Sequence, residues 1–153
     1  MRLTQLFSTG RKDLTNIAGR YNRIVNVIDP VGQVYKAIGA DEPFFRLVEH
    51  FYAGVEKDPI LRPLYPEDLA PGKEHLALFL IQRTGGRQTY SEQRGHPRMR
   101  QRHMPFKIGQ KERDAWIMNM YAALNAVPEF EPHLETMKEF FDSFATFMIN
   151  QPG

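Results

Sequence analysis

The chain has no cysteine. Disulfides, thiolate metal sites, iron–sulfur clusters and thioether attachment of a cofactor are therefore excluded. Net charge is scarce too, with 20 Lys and Arg against 18 Asp and Glu for a formal +2. A balance so close supplies no bulk attraction to nucleic acid or another polyanion. Long apolar runs are also missing, and nothing approaches the roughly 20 consecutive apolar residues that cross a bilayer as a helix. The opening residues, Met-Arg-Leu-Thr-Gln-Leu-Phe-Ser-Thr-Gly-Arg-Lys-Asp, lack the apolar centre and small-residue cleavage site of a secretory leader. The expectation is a cytoplasmic protein with no membrane partner. At 153 residues, 42% hydrophobic and 25% charged, the chain suits one ordinary globular domain able to bury a core.

What is present is a succession of apolar stripes at helical spacing, punctuated by Pro and Gly. Leu14, Ile17, Ala18, Tyr21, Ile24, Val25 and Ile28 recur three or four apart. That spacing predicts a helix over 13–28 that Asp29-Pro30 ends. A second helix is expected from Asp41-Glu42-Pro43, with Asp41 as N-cap and Pro43 in the first turn. It carries Phe44, Leu47, Val48, Phe51, Tyr52 and Val55 and stops at Asp58-Pro59. A short helical turn should end at Leu64-Tyr65-Pro66. The next helix starts near Pro71-Gly72, presents Leu76, Phe79 and Leu80, and ends at Gly85-Gly86. A polar loop over 84–96 and a short helix from Pro97 to His103 follow. A long helix over 110–126 carries Trp116, Met120, Tyr121 and Leu124. A last one near 132–149 carries Leu134, Met137, Phe140, Phe141, Phe144, Ala145 and Met148. No segment sustains apolar–polar alternation, so the fold class is all-α. The 11 Phe and 7 Met residues can line a broad flat cavity as well as fill a core.

The chemistry concentrates between Thr89 and Trp116. From Arg94 to Arg113 there are seven basic residues (Arg94, Arg98, Arg100, Arg102, Lys107, Lys111, Arg113) against the single acid Glu112. The same stretch holds His96 and His103, and Trp116 just beyond it is the only tryptophan. A basic, histidine-bearing segment between apolar helices asks for a partner that is both anionic and metal-containing. Haem answers that description, with an iron that takes an imidazole and propionates that take cations. His103 closes a short helix just before Met104-Pro105-Phe106, and Pro105 cannot continue it, so the ring should project from a terminal turn. His96 precedes Pro97 and should be extended, as a loop or cap residue. His50 and His133 read as packing or surface residues. His75, beside Leu76, is the competing ligand, on the helix expected to cover the other face of a bound cofactor.

The run Tyr90-Ser91-Glu92-Gln93-Arg94-Gly95-His96-Pro97, followed by His103-Met104-Pro105-Phe106, closely resembles the proximal region of group II truncated haemoglobins. The resemblance extends from Val34-Tyr35-Lys36-Ala37-Ile38-Gly39 to Asn150. It implies a two-over-two helical sandwich over residues 31–153 that binds haem b and, reversibly, oxygen, carbon monoxide or nitric oxide. His103 falls on the family's proximal iron-ligand position. Tyr52, Tyr65 and Trp116, within Phe51-Tyr52, Leu64-Tyr65-Pro66 and Arg113-Asp114-Ala115-Trp116, fall on the distal positions that surround the ligand. Taken alone, each reads equally as a core or turn aromatic. As donors, the two phenols and the indole N–H would hold a small ligand in a low-dielectric pocket. The family's usual distal-helix position falls on Gly72, which would leave a path for ligands. Arg102 is the first choice for the propionates, with Tyr90 and Arg87 after it. Met99, one turn before His103, should press on the proximal face, with Phe106 and Ile108 nearby. Phe51, Leu76, Phe79 and Leu80 complete the expected cofactor contacts.

Two departures stand out. Residues 1–30 exceed the usual family length and read as an extra N-terminal helix. It should pack on the domain or on a second subunit as a homodimer, in preference to lying on a membrane as a basic amphipathic helix. Arg83-Thr84 stands where some relatives have aromatic residues. The resemblance leaves two haem-based readings, reversible ligand binding or a redox enzyme acting on nitric oxide or peroxide. The second would need an external reductase, since no flavin or nicotinamide domain is present. A colourless module binding nucleic acid through the stretch 94–113 is disfavoured by the near-neutral charge.

Overall fold

The computed structural model describes residues 29–152, together with Arg20. The helix expected over 13–28 lies outside the described residues. Residues 29–152 form seven α-helices: α1 (Val34–Ile38), α2 (Glu42–Lys57), α3 (Ala70–Arg83), α4 (Thr89–Arg94), α5 (Met99–His103), α6 (Gln110–Ala126) and α7 (Leu134–Phe147). Short 3-10 helices at Val31–Gln33, Arg62–Leu64 and Pro128–His133 join them, and no strand occurs among the described residues. No described helix is long and apolar enough to cross a membrane.

The architecture follows from the stripes. Phe44, Leu47, Val48, Phe51, Tyr52 and Val55 of α2 are all buried, so α2 has a wide apolar face to satisfy. It packs against both α3 and α6, while α6 also packs against α7. Two helix pairs, α2 with α3 and α6 with α7, are thus laid together through the α2–α6 contact. Phe44, Phe51, Leu80, Met120, Phe130 and Phe141 are among the side chains enclosed completely between them.

Where α2 and α6 meet, Asn119 reaches across. Its amide donates to Asp58 Oδ2 at 2.8 Å and to its own helix at Ala115 O at 2.8 Å. Asp58 Oδ1 in turn accepts from the amides of Ile60 and Leu61 at 2.8 and 3.2 Å, which turns the chain out of α2. Gly54 makes this approach possible, because a Cβ there would stand 2.2 Å from Asn119 Oδ1. Gly54→Ala should therefore expel Asn119 from its bridge. We expect a loss of about 1–3 kcal/mol, the usual range for overpacking a contact that cannot spread, read as a lower urea midpoint.

Two expectations are corrected. Asp41 occupies the N-cap position of α2, but its side chain makes no capping bond. It accepts instead from the Tyr35 hydroxyl at 2.6 Å and from the Arg87 guanidinium, which together offer a carboxylate more than one backbone amide does. The expected loop over 84–96 contains α4. Its helicity is enforced from outside: Tyr90 is buried with its ring 5.8 Å from that of Phe79. Gln82 of α3 clasps Ser91 twice, donating to Oγ at 2.7 Å and accepting from the Ser91 amide at 3.0 Å.

The Arg83-Thr84 departure has its own structural account. Arg83 stacks 5.3 Å over the Phe140 ring and donates to Asp29 Oδ1 at 3.1 Å. Thr84 is fully buried, with its hydroxyl donating to Leu80 O at 2.7 Å. Both side chains join parts of the scaffold.

Candidate cofactor site

A cavity of about 520 Å³ opens among α2, α3, the α4–α5 region, α6 and α7. That volume lies within the roughly 300–1,000 Å³ usual for small-molecule and cofactor sites. Tyr52 lines it from α2, Leu61, Leu64, Tyr65 and Pro66 from the turn beyond, and Pro71, Gly72, His75 and Leu76 from α3. The basic segment contributes Tyr90, Arg94, Met99, Arg102, His103, Phe106 and Ile108. Glu112, Arg113 and Trp116 of α6 complete it, with Phe144, Ala145 and Met148 at the end of α7.

His103 is the last residue of α5. The five-residue helix is launched by Arg98, whose φ of 42° lies in the left-handed region that a non-glycine residue adopts only under constraint. Arg102 supplies some of that constraint, since its guanidinium donates to Pro97 O at 2.8 Å and Arg94 O at 2.9 Å. Asn150 supplies more, donating to His103 O at 3.2 Å and Phe106 O at 2.7 Å. Within α5, His103 Nδ1 lies 2.5 Å from Met99 O. A carbonyl only accepts, so Nδ1 donates, and in the neutral ring that leaves the lone pair on Nε2. That is the tautomer a metal-ligating imidazole needs, with the second nitrogen held by a backbone acceptor.

The other cavity histidine is engaged differently. His75 Nε2 lies 3.0 Å from Arg94 Nη1, and because a guanidinium only donates, this nitrogen accepts. Burial first, and then the Arg94 charge, push His75 below the usual imidazole value. His96 stays out of the cavity lining, and its Nδ1 accepts from the Arg98 amide at 3.2 Å.

The three aromatics far apart in sequence come together. The Tyr52 and Tyr65 rings meet edge to face at 5.6 Å and 81°. Phe51 stands behind them, 5.4 Å from Tyr52 and 5.1 Å from Trp116. Trp116 is held in turn by Phe141 at 5.6 Å and Phe144 at 6.0 Å. Burial pushes the Tyr52 hydroxyl up to about 12. Burial also raises Tyr65, reinforced by Tyr52 and partly offset by the Trp116 indole. Both phenols therefore keep their protons at neutral pH and can donate.

Four expected contacts fall elsewhere. Phe51, Phe79 and Leu80 are not in the lining and belong to the buried core behind it. On α2 and α3 those positions face the neighbouring helices. Phe79, for example, stacks between Tyr90 and Phe144. Arg87 is not in the lining either, being drawn to Asp41. Conversely, Leu61, Arg94, Glu112, Arg113, Phe144 and Met148 line the cavity without having been singled out for it. Arg94 carried a signal as one of the clustered cations. Phe144 and Met148 carried none, since an apolar residue at helical spacing reads the same against a cofactor as against another helix.

One imidazole with an unengaged Nε2 shares an apolar cavity with three phenols, an indole and three arginines. The chemistry fits a flat, largely apolar, anionic metal cofactor of the haem kind, held within a helical fold. Glu112, the one acidic side chain in the lining, already accepts from the Gly109 amide at 3.1 Å.

Comparison with known proteins agrees. The family model for the bacterial-like globins matches residues 33–150. The group 2 truncated hemoglobin YjbI of Bacillus subtilis (strain 168) is 41% identical over 117 residues, spanning 76% of this chain and 88% of that protein. The crystal structure of a hemoglobin from Chloroflexus aurantiacus superposes with a TM-score of 0.75 at 53% identity, covering 78% of this chain and 98% of that one. A truncated oxygen-avid haemoglobin from Bacillus subtilis superposes at 0.72 with 35% identity, covering 77% and 99%. The chain belongs to the bacterial-like globins and, within them, to the group II truncated haemoglobins. The two stacked helix pairs are this family's two-over-two sandwich. Membership implies a haem cofactor and small gaseous ligands.

Proposed function

We propose that residues 31–153 hold haem b through His103 Nε2 and bind oxygen and other diatomic ligands reversibly. When bound, the haem supplies an iron centre able to take and release such a gas. The chain's own residues do the rest. Met99 O fixes the His103 tautomer and ring direction. Apolar Leu76, Met99, Phe106 and Ile108 exclude water, while Arg94 and Arg102 offer charge to the propionates. Tyr52, Tyr65 and Trp116 direct O–H and N–H donors at the ligand in a low-dielectric space, which slows ligand loss more than arrival. The observation that carries this reading is the His103 Nδ1 contact to Met99 O, which leaves Nε2 free in the same cavity as the three donors. The relative described as oxygen-avid supports oxygen as the ligand. A peroxidase-like reading lacks its distal base, because His75 Nε2 is already taken by Arg94. Cytoplasmic residence completes the proposal, and an external reductase belongs only to the redox-enzyme reading.

Absorption spectra of the ferric, ferrous and carbonyl forms test it. A Soret band that shifts on reduction and again on carbon monoxide is expected. A protein that stays colourless after reconstitution with haem would overturn the reading.

A further inference from the structure

Gly72, in the first turn of α3, has no side chain to offer a ligand, yet it controls where a donor can stand. A Cβ at Gly72 would lie 2.6 Å from the Tyr52 hydroxyl oxygen and 3.4 Å from Cζ of the same ring. The first distance is far inside contact, so the hydroxyl rests against bare backbone. Tyr52 has little freedom to yield. It is 5% exposed and meets Phe51 and Tyr65 edge to face at 5.4 and 5.6 Å, and closely packed rings do not shift by an ångström without displacing their neighbours. Gly72 and Tyr52 line the same cavity.

We propose that Gly72 is a positioning residue for Tyr52: the glycine sets where the phenol O–H stands and, through it, how long a small ligand is retained. The inference rests on the reading of Tyr52 as a ligand donor. A glycine that merely leaves a doorway acts otherwise, changing ligand arrival whatever stands at position 52. A seat for the phenol acts through the hydroxyl, and its effect vanishes when the hydroxyl is removed.

A mutant cycle on the haem-loaded full chain separates the two, using Gly72→Ala, Tyr52→Phe and the double variant. The readouts are the urea midpoint and the oxygen dissociation rate. Gly72→Ala is expected to lower the midpoint in the wild-type background and to leave it nearly unchanged in the Tyr52→Phe background. There the 2.6 Å contact is gone and the 3.4 Å approach to Cζ remains tolerable. Gly72→Ala should also speed oxygen loss toward the Tyr52→Phe rate. The double variant should then lie within roughly twofold of the faster single, the non-additivity of two changes acting on one group. Equal midpoint losses in both backgrounds overturn the proposal, as does a double variant whose acceleration is the product of the singles. If Tyr52→Phe alone leaves oxygen loss unchanged, the donor reading of Tyr52 fails instead. The midpoints then decide by themselves whether Gly72 seats the phenol.

Discussion

His103→Ala is expected to lose stably bound haem, with the ferrous spectrum of a histidine-ligated site disappearing and returning in part when free imidazole is added. Changes behind a metal ligand typically cost 10–100-fold in metal affinity, and removing the ligand itself should exceed that range. The variant should still fold. The His103 ring is half-buried, and its hydrogen bond runs back into its own short helix at Met99 O. The core formed by α2, α3, α6 and α7 does not depend on it. Far-UV circular dichroism of the apo-protein checks this, and haem transfer to a scavenger globin measures the loss. An unchanged five-coordinate ferrous spectrum would reject His103 as the ligand and point to His75.

Oxygen dissociation from the triple variant Tyr52→Phe, Tyr65→Phe, Trp116→Phe should be faster by at least one to two decades. A hydrogen bond to a group carrying charge contributes about 1.5–3 kcal/mol, and about 1.4 kcal/mol is a factor of ten. The tyrosine substitutions delete donors while keeping the rings that meet at 5.6 Å, so packing loss does not imitate the effect there. Single variants should show less than their share, because donors in one network substitute for one another. Stopped-flow mixing of the oxygenated protein with an oxygen scavenger or carbon monoxide reads the rate. A triple variant that releases oxygen at the wild-type rate would remove these residues from the ligand's surroundings.

Much of the scaffold was written into local pattern. α2, α6 and α7 are long enough for the helical period to repeat, and Asp58-Pro59 ends the first of them, the Asp58 carboxylate accepting from the Ile60 and Leu61 amides just beyond. α5 was legible for the same reason, since Pro105 blocks its continuation and leaves His103 at its end. α4 was not. Thr89–Arg94 is polar, and it is helical because Gln82 holds Ser91 and Phe79 packs on Tyr90, contacts made by another helix. Asp41 was misread in kind: position predicts a cap, but the Tyr35 hydroxyl and Arg87 guanidinium compete better for its carboxylate.

By itself, then, the sequence determined an all-helical chain and a terminal histidine among cations, and its family resemblance marked the aromatics to watch. Tertiary structure alone decided which apolar residues face the cavity and which the core, because burial against a cofactor and burial against a helix favour the same side chains. It also decided which His103 nitrogen is free and how near the Tyr52 hydroxyl comes to Gly72. The first depends on the turn geometry of α5 and the second on two helices crossing in space. No spacing along the chain encodes either distance.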